Sequence, residues 1–179
     1  MKILGISGSL QGRSSNTALL RQADEFSPWG VEFAIFDGIG GLPHYNPELD
    51  DLDGGIAPPQ VLDLRNRLRE SHGALFATPE YAHGMPGVLK NALDWLVGSG
   101  ELAGKPVAVL SGSPNSSGGI RAQVALVQTL VVMDAVFVDA LAVPFVRKKL
   151  DDRGKVLHEP TLRRIEGLVR ALAESAGSG

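Results

Sequence analysis

None of the 179 residues is cysteine, which excludes disulfides, thiolate metal sites and cysteine nucleophiles, and nothing ties the chain to an oxidising compartment. Positive charge is not in excess either. Seventeen Lys and Arg stand against twenty Asp and Glu, and a formal charge of −3 favours neither nucleic acid nor an anionic membrane surface as partner. No apolar run approaches the ~20 residues that span a bilayer. The opening Met1-Lys2-Ile3-Leu4-Gly5 reads as a strand rather than a signal sequence, so the expected compartment is the cytoplasm. Three familiar motifs are missing as well. There is no Gly-Lys-Ser or Gly-Lys-Thr of a nucleoside-triphosphate loop and no G-x-G-x-x-G dinucleotide fingerprint, and Gly5-Ile6-Ser7-Gly8-Ser9 lacks the final glycine of a nucleophile elbow. Asp50, Asp51 and Asp53 lack the spacing of a calcium loop and read as a solvated turn, so no metal is expected.

What remains is a chain with 44% apolar residues and the length of one α/β domain, assigned here to residues 1–179. No repeat or low-complexity tract interrupts it. Strand and helix patterns alternate five times. Apolar runs at 2–8, 73–77, 105–110 and 135–139, with an alternating run at 31–36, read as strands. Amphipathic stretches carry Leu19, Leu20 and Ala23; Val61, Leu64 and Leu68, with arginines on the outer face; Leu89, Ala92, Leu93 and Leu96; Ala122, Leu126 and Leu130; and Leu162, Ile165, Leu168, Val169 and Leu172. Such alternation forces right-handed parallel crossovers and matches a flavodoxin-like, three-layer α/β sandwich with a five-stranded sheet of order 2-1-3-4-5. Residues 37–59, with five glycines and four prolines, are expected to be irregular, and His44 and Tyr45 in them to cover a ligand crevice.

Two loops would then meet where the strand order reverses. The first, Ser9-Leu10-Gln11-Gly12-Arg13-Ser14-Ser15-Asn16, crowds hydroxyl, amide and cationic donors before a helix. Asn16 or Ser15 is the expected cap, and a phosphate fits the positive helix end; the competing reading is that these residues cap the helix and nothing more. The second, residues 78–86, is stiffened by two prolines and offers Glu80, Tyr81, His83 and the small Gly84, which suits a planar heterocycle, unless its rings pack only locally. A phosphate at one end and a flat ring at the other describe a flavin mononucleotide. A third loop of small polar residues, Ser111-Gly112-Ser113-Pro114-Asn115-Ser116-Ser117-Gly118-Gly119, follows the fourth strand. Lys90 and Asp94 form an i,i+4 pair on a helix and, with Asn91, are read as surface or subunit-contact residues rather than catalytic ones, and Trp95 as core or interface.

Gly8-Ser9-Leu10-x-x-x-Ser14-x-Asn16, together with Thr78-Pro79-Glu80-Tyr81-x-x-x-x-Pro86-Gly87-x-Leu89-Lys90-Asn91-Ala92-Leu93-Asp94-Trp95, resembles the NADPH-dependent FMN reductase family from Lys2 to about Val146. The resemblance implies a reductase of flavins, quinones, azo dyes or chromate that uses bound FMN with NADPH or NADH, assembled as a homodimer or homotetramer. It places the FMN phosphate on Ser9, Gln11, Arg13, Ser14, Ser15 and Asn16. It puts the isoalloxazine along Pro79, Glu80, Tyr81, Ala82 and His83, with Ser113 nearby, while Gly84 is the expected point where a flat ligand approaches the main chain. No side chain is assigned a catalytic role, since hydride chemistry belongs to the flavin. Members commonly carry Arg in place of Gln11 and Asn in place of Ala82, so a weakly held cofactor is expected. The alternatives are a flavodoxin-type electron carrier without nicotinamide activity and a family member that has lost FMN and serves a regulatory role.

Overall fold

The computed structural model describes residues 1–50 and 56–178. Five parallel strands, β1 (Lys2–Ser7), β2 (Glu32–Phe36), β3 (Gly73–Thr78), β4 (Pro106–Gly112) and β5 (Val136–Val143), form one sheet of order β2-β1-β3-β4-β5. The helices between and after them are α1 (Ser15–Glu25), α2 (Pro59–Glu70), α3 (Gly87–Val97), α4 (Ile120–Val132) and α5 (Glu159–Gly177). This is the doubly wound arrangement that the alternation predicts, with helices on both faces.

The division of the core follows from strand geometry. Successive side chains leave opposite faces, so Leu4, Ile6, Ala74, Phe76, Val107 and Val109 pack with α2, α3 and α4. Ile3, Leu75, Ala77, Ala108 and Leu110 pack instead with α1 and α5. Strands covered on both faces can be apolar throughout, and β3 is buried along its whole length. β5 runs past 139 to Val143, into the apolar stretch 141–146 that the pattern leaves free either to extend the strand or to flank it. An irregularity between Val107 and Ala108 brings Ala108 opposite Asp139, so that one β5 residue lacks a partner and the edge strand can continue.

Two expectations about charge are corrected. The arginines of α2 are not all external: Arg65 is fully buried and donates to both oxygens of Asp50, at 3.0 and 3.2 Å, and to the Trp95 carbonyl. Asp50 is therefore not part of a solvated turn. It ties the end of the long connection to α2 and to the last turn of α3, whose final carbonyls have no helical partner. Asp51 and Asp53 lie outside the described residues. Trp95 is a core residue, fully buried, and its indole N–H donates to the Pro43 carbonyl at 2.9 Å.

Candidate functional site: a crevice at the carboxyl edge of the sheet

β1 and β3 are hydrogen-bonded neighbours, so the loops that leave them start side by side. Gly8 N–H donates to the Ala77 carbonyl at 2.8 Å and carries that pairing past the end of β1. A Cβ on Gly8 would come within 3.0 Å of the Leu89 side chain, so the residue type lets the loop lie this close to α3.

Ser14 is the N-cap of α1: its hydroxyl accepts from Thr17 N–H at 3.2 Å. Neither Ser15 nor Asn16 takes that role. Ser15 and Asn16 are the first two helical positions, and their backbone N–H groups have no acceptor among the described residues. Two amides and the positive end of the helix are thus available to an anion. The Asn16 side chain is committed elsewhere. Its Oδ1 accepts from Gly112 N–H at 2.7 Å and its Nδ2 donates to the Gly112 carbonyl at 3.0 Å, which clamps the first loop to the end of β4. An amide nitrogen has two hydrogens, so at most one of them remains for a ligand.

Residues 78–84 are held from the other side. Glu80 is largely buried, and its carboxylate accepts from Arg121 N–H and Ala122 N–H at 3.0 and 3.5 Å, in the first turn of α4. The Arg121 guanidinium lies 3.5 Å from the same carboxylate. Glu80 is accordingly an external cap of α4 that fixes the loop, and its carboxylate is bound there. Beyond it, Tyr81 and Gly84 exchange two backbone hydrogen bonds of 3.0 Å around Ala82 and His83, whose φ angles are +48° and +63°. This is a two-residue hairpin turn, and its left-handed positions are ones that Asn and Gly adopt more readily than Ala.

The third loop is stitched to the segment after β5. Ser113 N–H donates to the Val143 carbonyl at 3.2 Å, Val146 N–H to the Ser113 carbonyl at 3.0 Å, and Phe145 N–H to the Asn115 carbonyl at 3.1 Å. Gly118 and Gly119, both with positive φ, turn the chain into α4.

These loops enclose one crevice. Ser9, Gln11, Ser14, Ser15 and Asn16 line it from the first, Pro79, Glu80 and Tyr81 from the second, and Gly112, Ser113 and Pro114 from the third. Nine of the thirteen residues singled out from sequence therefore share a single hollow. Arg13 lines a neighbouring hollow of about 560 Å³, which Gln11, Ser14, Ser15 and Arg147 also border. Ala82, His83 and Gly84 form the tip of the hairpin and do not line the crevice. His44 and Tyr45 do not line it either. Their segment packs on α3: Tyr45 N–H donates to Asn91 Oδ1 at 2.8 Å, and the Tyr45 ring meets Trp95 edge-on at 5.0 Å. Asn91 thus holds the long connection, while Lys90 pairs with Asp94 as the spacing predicts.

Sequence reasoning missed Val146 and Arg147, which complete the crevice from the turn after β5. The legible signal was the basic run Arg147-Lys148-Lys149, although nothing local places that run beside the first loop. The enclosed part of the crevice is about 100 Å³, far below the roughly 300–1,000 Å³ of pockets that bury a whole ligand. A hollow of that size suits a phosphate and the start of its linking chain rather than a whole ligand. The donor set agrees: amides, hydroxyls and a guanidinium converge, and the one carboxylate is already bound to α4. These residues fit FMN.

The model of the NADPH-dependent FMN reductase family matches residues 1–148. An NAD(P)H-dependent FMN reductase of Pseudomonas aeruginosa is 39% identical, over 96% of this chain and 93% of its own. A quinone reductase of Escherichia coli K12 is 31% identical over 97% and 94%. A flavoenzyme NAD(P)H:(acceptor) oxidoreductase from Paracoccus denitrificans superposes with a TM-score of 0.85 at 31% identity, over 99% of this chain and 97% of that one.

Proposed function

The chain belongs to the NADPH-dependent FMN reductase family, and from that premise we propose how its own residues serve an FMN-dependent reduction of a small acceptor by NADPH or NADH. The observation that carries the reading is the convergence of the loops after β1, β3 and β4 on one donor-rich hollow. In this assignment the amides of Ser15 and Asn16 and the hydroxyls of Ser9 and Ser14 hold the phosphate. Pro79, Tyr81 and the backbone beside Glu80 support the ring, and Ser113 borders it. FMN held by these residues would supply the redox chemistry, hydride-level transfer between a nicotinamide and the acceptor. The protein supplies no acid or base in this scheme. Its part would be to bind and orient the cofactor through the three loops.

A quinone or free flavin is the acceptor class proposed, by likeness to the relatives. Against the electron-carrier alternative stand Arg147 at the border of the crevice and the binding of the Glu80 carboxylate by α4. No helix of the described residues is long and apolar enough to cross a membrane. We place the enzyme in the cytoplasm, as one domain over residues 1–179. We propose a homodimer formed through α4, which exposes Ile120, Val124 and Val131 at coiled-coil-like spacing, together with Val97 of α3.

The test is reconstitution. FMN added to purified protein is expected to show a shifted and sharpened visible spectrum, which bleaches anaerobically with NADPH or NADH and recovers when a quinone is added. A protein that leaves the spectrum of free FMN unchanged contradicts the assignment. Bleaching by neither nicotinamide, with FMN bound, would favour the carrier.

A further inference from the structure

We infer that Arg147, outside the three loops that follow β1, β3 and β4, is the cation that anchors the anionic end of the cofactor. The inference rests on the FMN reading above, and four observations carry it.

First, Arg147 lines the crevice together with Ser9, Gln11, Ser14 and Ser15, whereas Arg13, the cation of the first loop itself, lines only the adjoining hollow. Second, Arg147 makes no ion pair with a carboxylate among the described residues, so no internal partner has to be displaced when a dianion arrives. Third, its backbone is positioned rather than loose. The hydrogen bonds of Phe145 and Val146 to Asn115 and Ser113 fix the start of the short 3-10 turn Val146–Lys149, and Val146 beneath it is 1% exposed. Phe145 itself has a left-handed backbone, φ +51°, which reverses the chain toward the first loop. Fourth, the neighbouring cation is turned elsewhere: the Lys148 ammonium lies 5.7 Å from the centre of the Phe145 ring.

The chemistry explains why one guanidinium matters here. Two helix amides and two or three hydroxyls satisfy several phosphate oxygens but carry no full charge. A phosphate monoester with nearly two negative charges gains most from a planar cation that can meet two oxygens at once. Riboflavin, which has the same ring and ribityl chain without the phosphate, gains nothing from it. That contrast is the basis of the test.

Affinities of FMN and riboflavin are measured by quenching of flavin fluorescence, for the unaltered protein and for Arg147→Ala, Arg147→Lys and Lys148→Ala, with circular dichroism to compare folding. Arg147→Ala is expected to weaken FMN by about tenfold or more, as for one charge-assisted contact, and to leave riboflavin within about twofold. Arg147→Lys should recover part of the loss, and Lys148→Ala should have little effect. The salt dependence of FMN binding should flatten in Arg147→Ala. Equal loss of both flavins in Arg147→Ala, or FMN binding within twofold of the unaltered protein, overturns the inference while leaving the FMN assignment standing. Failure of the unaltered protein to bind either flavin overturns both.

Discussion

Replacing Ala82 by Asn should stabilise this protein without tightening its hold on flavin. Ala82 and His83 are consecutive left-handed residues at φ +48° and +63°, locked by the paired hydrogen bonds between Tyr81 and Gly84. For an L-residue with a Cβ that conformation costs roughly 1–2 kcal/mol. Asn eases it through its short polar side chain, so Ala82→Asn is expected to gain about 0.5–1 kcal/mol. With the usual entropy of unfolding for a chain of this size, that raises Tm by roughly 1–4 °C. Ala82→Gly removes that steric cost and frees the unfolded chain by the smaller amount of about 0.5–1 kcal/mol, so it should gain about as much as Asn. Ala82→Val adds a branched Cβ and should lose more than about 1 kcal/mol. Urea unfolding at constant m-value gives the order directly, Asn and Gly above Ala, and Val last. FMN affinity in Ala82→Asn should stay within about threefold, because residue 82 sits at the hairpin tip and does not line the crevice. A neutral Asn together with a harmless Val would refute the strain argument, and a large gain in FMN affinity would mean that the side chain reaches the ring after all.

Other substitutions probe the rest of the frame. Asp50→Ala removes the bidentate Asp50 contact from the buried Arg65 guanidinium and should cost about 3–5 kcal/mol by urea denaturation. Asn16→Ala strips the Gly112 N–H and carbonyl of both side-chain partners and should cost about 2–3 kcal/mol, with a parallel fall in FMN affinity measured by titration. Gly118→Ala places a Cβ 3.0–3.1 Å from backbone atoms of Val143 and Pro144 at φ +64°. It should lower Tm by several degrees, and an unchanged melting curve would contradict the close approach seen there. Val124→Glu should leave FMN binding intact and turn the proposed dimer into a monomer by sedimentation equilibrium.

How far the molecule could be read from its residues depended on the range of the interactions. The sheet order and the meeting of two loops followed from periodicity and handedness, because parallel crossovers permit few arrangements. Partnerships across long separations did not follow. Asp50 looked solvated among neighbouring aspartates, and Arg65 looked external in a helix with other arginines; only the fold shows that they meet, with Trp95 as the third member. Glu80 had the pattern of a ring-side residue, yet its carboxylate is bound by α4, forty-one positions on. Arg147 lies 133 positions from Ser14, by the difference of their numbers, and borders the same hollow. Local pattern carries no information about such pairs.

These long-range bonds bear on cofactor retention. From Gln11 and Ala82 alone the expectation is a weakly held FMN, since one cation and one side-chain contact are missing. In the folded chain Asn16 already joins the first loop to β4, Glu80 joins the second to α4, and Val146 joins the third to the turn bearing Arg147. A site tied together in this way has little left to order when a ligand arrives, and the entropy that a loose loop would lose on binding is already spent in folding. On this reading the residue at 82 bears on the stability of a turn, and Arg147 would supply the charge missing at 11. Retention should therefore depend on salt and on Arg147 more than on either departure. FMN carried through a gel-filtration column at low ionic strength, and lost from Arg147→Ala under the same conditions, is the outcome this argument requires.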